Sequence, residues 1–168
     1  LASAKGLSLK IQADDDLPRT IIGDPVRFTQ ILTNLLGNAI KFTEAGNVTL
    51  HVTELSRPTP KSTQLQISIS DTGIGIAPEK LDSIFDAFVQ SDTSITRQFG
   101  GTGLGLAISR ELATRFGGTL SVESRIGEGS TFTFTVIVDF SDEATDDPSA
   151  TQSQARLPAA TARDILLV

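Results

Sequence analysis

LQISISDTGIGI, Leu65 to Ile76, decides the fold. Leu65, Ile67 and Ile69 alternate with Gln66, Ser68 and Ser70 at the two-residue period of a half-buried strand, and glycines then break the pattern at Gly73 and Gly75. A strand that ends on Asp71 and turns at once on two glycines presents a carboxylate at the rim of a sheet. Such a carboxylate can accept a hydrogen bond from an exocyclic amine, as on adenine, and would meet a carbonyl on guanine. Glycine permits a positive φ and a close backbone approach, so D-x-G-x-G also serves as a tight turn with no ligand.

Working outward, Val48, Leu50 and Val52 alternate with Thr49, His51 and Thr53 in a second strand. Ser56 to Thr63, with Pro58 and Pro60, reads as the loop between the two strands. Phe132, Phe134, Val136 and Val138 mark a later strand, joined through Gly127 and Gly129 to Leu120–Ser124 by hairpin logic. Three helices accompany them. The first starts at Gly23-Asp24-Pro25, where Asp24 can cap and Pro25 needs no donor, and carries Phe28, Ile31, Leu32, Leu35, Leu36, Ala39 and Ile40 on one stripe. The second runs from Pro78 through Leu81, Ile84, Phe85 and Phe88. The third begins near Leu104 and stops at Gly117-Gly118. Strands on one side and helices on the other predict an α+β two-layer sandwich, with a mostly antiparallel, mixed sheet packed on three helices.

At 168 residues the chain suits one domain with a tail, and a net charge of −6 without Lys/Arg clusters excludes a nucleic-acid surface. No apolar run approaches the ~18 residues of a membrane helix, so direct membrane insertion is excluded as well. There is no cysteine, which removes disulfides and thiolate zinc sites and fits a reducing, cytoplasmic setting. His51, the single histidine, falls on the polar side of a strand and reads as surface. The chain begins at Leu1 without Met, and a fragment of something longer is expected.

Asn34, Asn38 and Lys41 fall at i, i+4 and i+7 of the first helix, on one face away from the apolar stripe. A solvated face carries the same residues. An amide oxygen is nevertheless a hard ligand suited to Mg²⁺, which takes one or two protein ligands plus waters and phosphate oxygens. GGTGLGL, Gly100 to Leu106, precedes the third helix, so its N–H groups and the positive helix end could cradle phosphate. Residues 89–99 lack periodicity and read as a lid. Arg97 is its one cation, able to reach a γ-phosphate or simply to face water. The glycine run ends in neither Gly-Lys-Ser nor Gly-Lys-Thr, precedes no Val-Ala-Ile-Lys strand, and opens no βαβ unit, which excludes the Walker, protein-kinase and Rossmann loops.

The order of these pieces resembles the ATP-binding catalytic domain of sensor histidine kinases, in the superfamily shared with Hsp90, DNA gyrase and MutL. QILTNLLGNAIKFT (Gln30–Thr43) is similar to its N box, DTGIGI to its G1 box, FDAF (Phe85–Phe88) to its F box, GGTGLGLAIS to its G2 box and GEGSTF (Gly127–Phe132) to its last glycine box. The resemblance implies a Bergerat-type fold, Mg²⁺ on Asn38, and Asn34 and Lys41 beside the phosphates. It implies Arg97 from the lid as a further catalytic group and Asp71 on adenine, with Gly73, Gly75, Ile76, Phe88 and Thr131 around the base. Gly101, Thr102, Gly103, Leu104, Gly105 and Leu106 would form the cradle. Where ATP-hydrolysing relatives carry a glutamate base this chain has Asn34, and an amide cannot deprotonate water; transfer to a protein acceptor is favoured over hydrolysis.

The implied function is transfer of the γ-phosphoryl group of Mg-ATP to a histidine on a separate dimerisation domain, within a two-component phosphorelay. KGLSL and LPRTIIGDP resemble the hybrid type. Residues 1–5 would end the linker from the dimerisation helices and residues 6–140 would be the catalytic domain. Residues 141–163 would be a flexible linker and 164–168 the start of a receiver domain. Implied partners are the histidine-bearing hairpin and the receiver of a response regulator, in a full-length homodimer, cytoplasmic or the cytoplasmic part of an inner-membrane sensor. A degenerate docking module and a superfamily ATPase are the alternatives.

Overall fold

The computed structural model describes Ala2, residues 5–86, residues 103–141 and the backbone of residues 154–156. The sheet begins with β1 (Ser8–Ala13) and β2 (Thr20–Ile22), followed by helix α1 (Pro25–Phe42). Then come β3 (Asn47–Thr59), β4 (Ser62–Asp71), helix α2 (Gly105–Arg115), β5 (Leu120–Arg125), β6 (Gly129–Ser141) and β7 (Gln154–Arg156). The strand order is β1-β3-β4-β6-β2-β7, with β5 also paired to β6, so β2 and β5 share one edge of β6 end to end. Only β1 with β3 is parallel among the described pairs, which gives the mixed, mostly antiparallel sheet that the sequence predicts.

Alternation sets the layers. Val48, Leu50 and Val52 of β3, Leu65, Ile67 and Ile69 of β4, and Phe132, Phe134, Val136 and Val138 of β6 are all buried, facing Ile31, Leu35 and Ala39 of α1 and Leu112 and Ala113 of α2. α1 starts as its sequence dictates: Asp24 accepts from the N–H groups of Val26 and Arg27 at 3.0 and 3.1 Å, ahead of Pro25. At its other end the Thr43 hydroxyl donates to the Ala39 carbonyl at 2.7 Å. The Lys5 ammonium reaches the carbonyls of Ile40, Lys41 and Thr43 at 2.9, 3.0 and 3.3 Å, satisfying acceptors that have no intrahelical partner and complementing the negative helix end. Gly117, at φ 69°, and Gly118, whose N–H bonds the Ala113 carbonyl, end α2 as expected.

Two expectations need correction. The stretch from Ser56 to Thr63 is not an open loop: β3 runs on to Thr59 and β4 starts at Ser62. β1 covers β3 only as far as Val52, so Pro58 sits where no described strand pairs with the outer edge of β3 and no ladder donor is needed for one. Between Pro78 and Phe85 there is no continuous helix but two single 3₁₀ turns, Pro78–Lys80 and Ser83–Phe85. Neither has a side-chain cap, and Ser83 bonds back to the Lys80 carbonyl at 3.1 Å, drawing the backbone from α geometry. The described residues therefore hold two α-helices rather than three. β7 pairs with β2 within residues 141–163, the stretch expected to be a linker.

Candidate functional site

Three elements converge at one end of the sandwich: the second half of α1, the turn after β4, and the start of α2. α1 carries Asn34, Asn38 and Lys41, all half-buried. Asn34 is not on the open face its spacing suggests. Its amide donates to the fully buried Ser109 hydroxyl of α2 at 2.9 Å, and a Cβ on Gly105 would strike the Asn34 side chain. Gly105 is thus required by helix-to-helix approach, and the contact brings the start of α2 against the face that bears Asn38 one turn later. Lys41 lies with its ammonium 4.8 Å from the centre of the Phe42 ring, and burial lowers its pKa from the ordinary lysine value.

The start of α2 suits an anion. Leu104 at the cap supplies no side-chain acceptor and the first turn holds no acidic residue, while Gly103 takes φ 69° just before it. The first-turn N–H groups of a helix have no intrahelical partner and carry its positive end. Arg97, Phe88, Gly101 and Thr102 lie outside the described residues.

Asp71 ends β4 on the helix-facing side of the sheet, in step with Leu65, Ile67 and Ile69. Its carboxylate accepts from the Gly73 N–H at 2.9 Å, a local turn that holds the side chain in place. Burial raises its pKa, opposed by the backbone N–H groups of Gly73 and Ser130. A Cβ on Gly73 would collide with the Phe42 carbonyl, and one on Gly75, at φ 71°, with the Arg125 carbonyl. Both glycines are explained by backbone packing inside the protein. The Ile74 N–H bonds the Phe42 carbonyl at 3.3 Å, tying this turn to the end of α1.

Thr131 is not beside Asp71. It pairs with Ser70, the hydroxyls 2.9 Å apart on the sheet face away from the helices, because Phe132 must point into the core and its neighbour therefore points out. The residue that shares Asp71's face is Ser130, directly opposite it in the β4–β6 register. Ser130 and Ser124 escaped the sequence reading. The signal was present: Leu120 and Val122 step by two to Ser124, and Phe134 and Phe132 step back by two to Ser130, so both lines of core-facing residues end in a hydroxyl. Ile76 is half-buried, its N–H held by the Ser124 hydroxyl at 2.8 Å; Leu104 and Leu106 are half-buried at the start of α2. His51 lies on the outer face, 3.1 Å from the Asp14 carboxylate, as surface residues do. No cluster of three His, Cys, Asp or Glu side chains occurs among the described residues.

Residues 23–139 match the histidine kinase-, DNA gyrase B- and HSP90-like ATPase family. The signal transduction histidine-protein kinase BarA of Escherichia coli is 47% identical over 135 residues, spanning 80% of this chain and 15% of that protein. The sensor histidine kinase GacS of Pseudomonas protegens is 48% identical over 131 residues, spanning 78% of this chain and 14% of that protein. The structure of full-length ShkA in complex with AMPPNP superposes with a TM-score of 0.71 at 38% identity, over 83% of this chain and 27% of that one. The chain thus spans only about one seventh of the length of these two kinases.

Proposed function

The chain belongs to the histidine kinase-, DNA gyrase B- and HSP90-like ATPase family, as a histidine kinase ATP-binding catalytic domain, and from that membership we propose that it binds Mg-ATP and delivers the γ-phosphoryl group to a histidine on a separate dimerisation domain of a hybrid sensor kinase. The observation that carries this reading is the Asn34–Ser109 junction, which sets the Asn38 face of α1 beside the uncapped start of α2, with Asp71 on the same side of the sheet. That the similar ShkA structure is a complex with AMPPNP supports a nucleotide as the ligand here.

Adenine would meet Asp71 as acceptor for its amine, and the phosphates would run toward Gly103 to Leu106, where N–H groups without an intrahelical partner and the helix field favour anions. Asn38, half-buried and without a side-chain hydrogen bond among the described residues, is the residue that would hold Mg²⁺. A single amide oxygen suits an ion that keeps its waters and leans on phosphate oxygens, and the ion, when bound, supplies charge neutralisation for the triphosphate. The chain's own contribution is positioning and charge placement for in-line attack by an imidazole from outside it. Asn34, whose amide is committed to Ser109 and cannot act as a base, disfavours water as acceptor. His51 on the outer sheet face, bonded to Asp14, is poorly placed to be that acceptor.

The partners proposed are the histidine-bearing hairpin and a receiver domain, in a homodimeric, cytoplasmically facing kinase; no helix among the described residues is long and apolar enough to cross a membrane. A phosphotransfer assay tests the proposal. With labelled ATP and Mg²⁺, the chain should label a histidine-bearing hairpin supplied in trans and not itself. Sustained phosphate release without acceptor labelling would instead identify an ATPase, and labelling of His51 would overturn the assignment.

A further inference from the structure

Ser124 stands at the centre of three polar groups at the end of β5. Its hydroxyl accepts from the Ile76 N–H at 2.8 Å, donates to the Gly129 carbonyl at 2.8 Å and lies 2.9 Å from the Ser130 hydroxyl. The proton positions follow by elimination. A carbonyl only accepts, so the single Ser124 proton goes to Gly129; a backbone N–H only donates, so Ile76 takes one of the two Ser124 lone pairs. One lone pair is left, and the Ser130 hydroxyl must donate into it. Ser130 then has no proton to give elsewhere. Residues directly opposite across an antiparallel pair have Cβ atoms ~5 Å apart, so Ser130's remaining lone pairs stand beside the Asp71 carboxylate on the same sheet face.

We propose that Ser124 is a specificity-positioning residue: by holding the Ser130 proton it makes the Asp71–Ser130 edge accept hydrogen bonds only, so that the edge selects a purine bearing an amine and rejects one bearing a carbonyl. The inference rests on the nucleotide reading above and deepens it. Asp71 alone repels a carbonyl, yet a neighbouring hydroxyl with a free proton would rotate and donate to it, offsetting the repulsion. Ser124 removes that escape. It touches no ligand itself and acts through Ser130 and, by way of Ile76, through the turn that carries Asp71.

Calorimetric titration with ATP and with inosine triphosphate, which replaces the amine by a carbonyl, tests this in the presence of Mg²⁺. The wild-type chain should prefer ATP, and Ser124→Ala, which frees the Ser130 proton, should lower the ATP-over-inosine preference about tenfold, mostly through tighter inosine triphosphate binding. Ser124→Thr keeps the hydroxyl and should restore the preference, which a purely structural role for Ser124 would not require. If Ser124→Ala does not fold, Ser130→Ala decides: losing that acceptor should weaken ATP and spare inosine triphosphate, and an unchanged ratio overturns the inference. A wild-type chain that binds neither nucleotide overturns the nucleotide reading and this inference together. A wild-type preference for ATP that persists in Ser124→Ala overturns this inference alone.

Discussion

Asp71 carries a conflict between stability and binding. Its carboxyl is half-buried, and burial raises its pKa above the ordinary carboxylate value of 3.8 despite two backbone donors. A carboxyl whose pKa is higher in the folded than in the unfolded state keeps its proton longer in the fold. Its contribution to stability is fully present below 3.8, falls as pH rises toward the raised value, and stays low above it. Asp71→Asn removes that titration. The melting temperature of the variant relative to wild type should therefore climb with pH across the acid window and level off near neutrality, by scanning calorimetry. The same variant should lose ATP affinity by about tenfold or more, since an amide can turn a donor toward the amine. Unchanged affinity would remove Asp71 from the adenine contact. Gly75 belongs to the same scale. With φ at 71° and the Arg125 carbonyl in the space of a Cβ, Gly75→Ala should cost more than about 2 kcal/mol in urea unfolding. The sequence leaves Gly73 and Gly75 open between turn and ligand contact, because the carbonyls that exclude a side chain lie 31 and 50 positions away, at Phe42 and Arg125.

At the scale of elements, α1 is the piece whose sequence is most readable, since its cap, its first-turn proline and its apolar stripe are all local. Leu35 is wholly buried between the sheet and α2, and Leu35→Ala should cost about 2–5 kcal/mol, checked by denaturant unfolding. The strands with one face on the core were legible through alternation. β1 was not, because every one of its residues is exposed at the sheet edge and no alternation of burial shapes its composition; β2 is too short for a period. Pro58 and Pro60 disguised the far half of the β3–β4 hairpin, and only the length of β1 explains why a proline is tolerated there. The side of the sheet that Thr131 takes was hidden for a related reason. Of two adjacent hydroxyls, only the tertiary register with β4 selects Ser130 for Asp71's side.

At the scale of the molecule, the two-layer architecture was legible because strand and helix periods separate cleanly along the chain, whereas the site was legible only in part. Its members lie far apart in sequence, on α1, at the end of β4, on α2 and on the β5–β6 hairpin, and hydrogen bonds between elements decide which side chains meet. Asn34 with Ser109 and Ser124 with Ile76 and Ser130 are such bonds, and none follows from spacing within one element.

The Lys5 ammonium on the last carbonyls of α1 has a mechanical consequence. The chain enters the domain beside β1, an edge strand held by one neighbour, so a pull from upstream would otherwise be borne by that strand alone. With Lys5 clasped to α1, the load divides before it reaches the sheet, and part of it runs along the axis of the helix that bears Asn38. A twist or tug applied ahead of β1 would thereby reach the end of α1 as well as the strand edge.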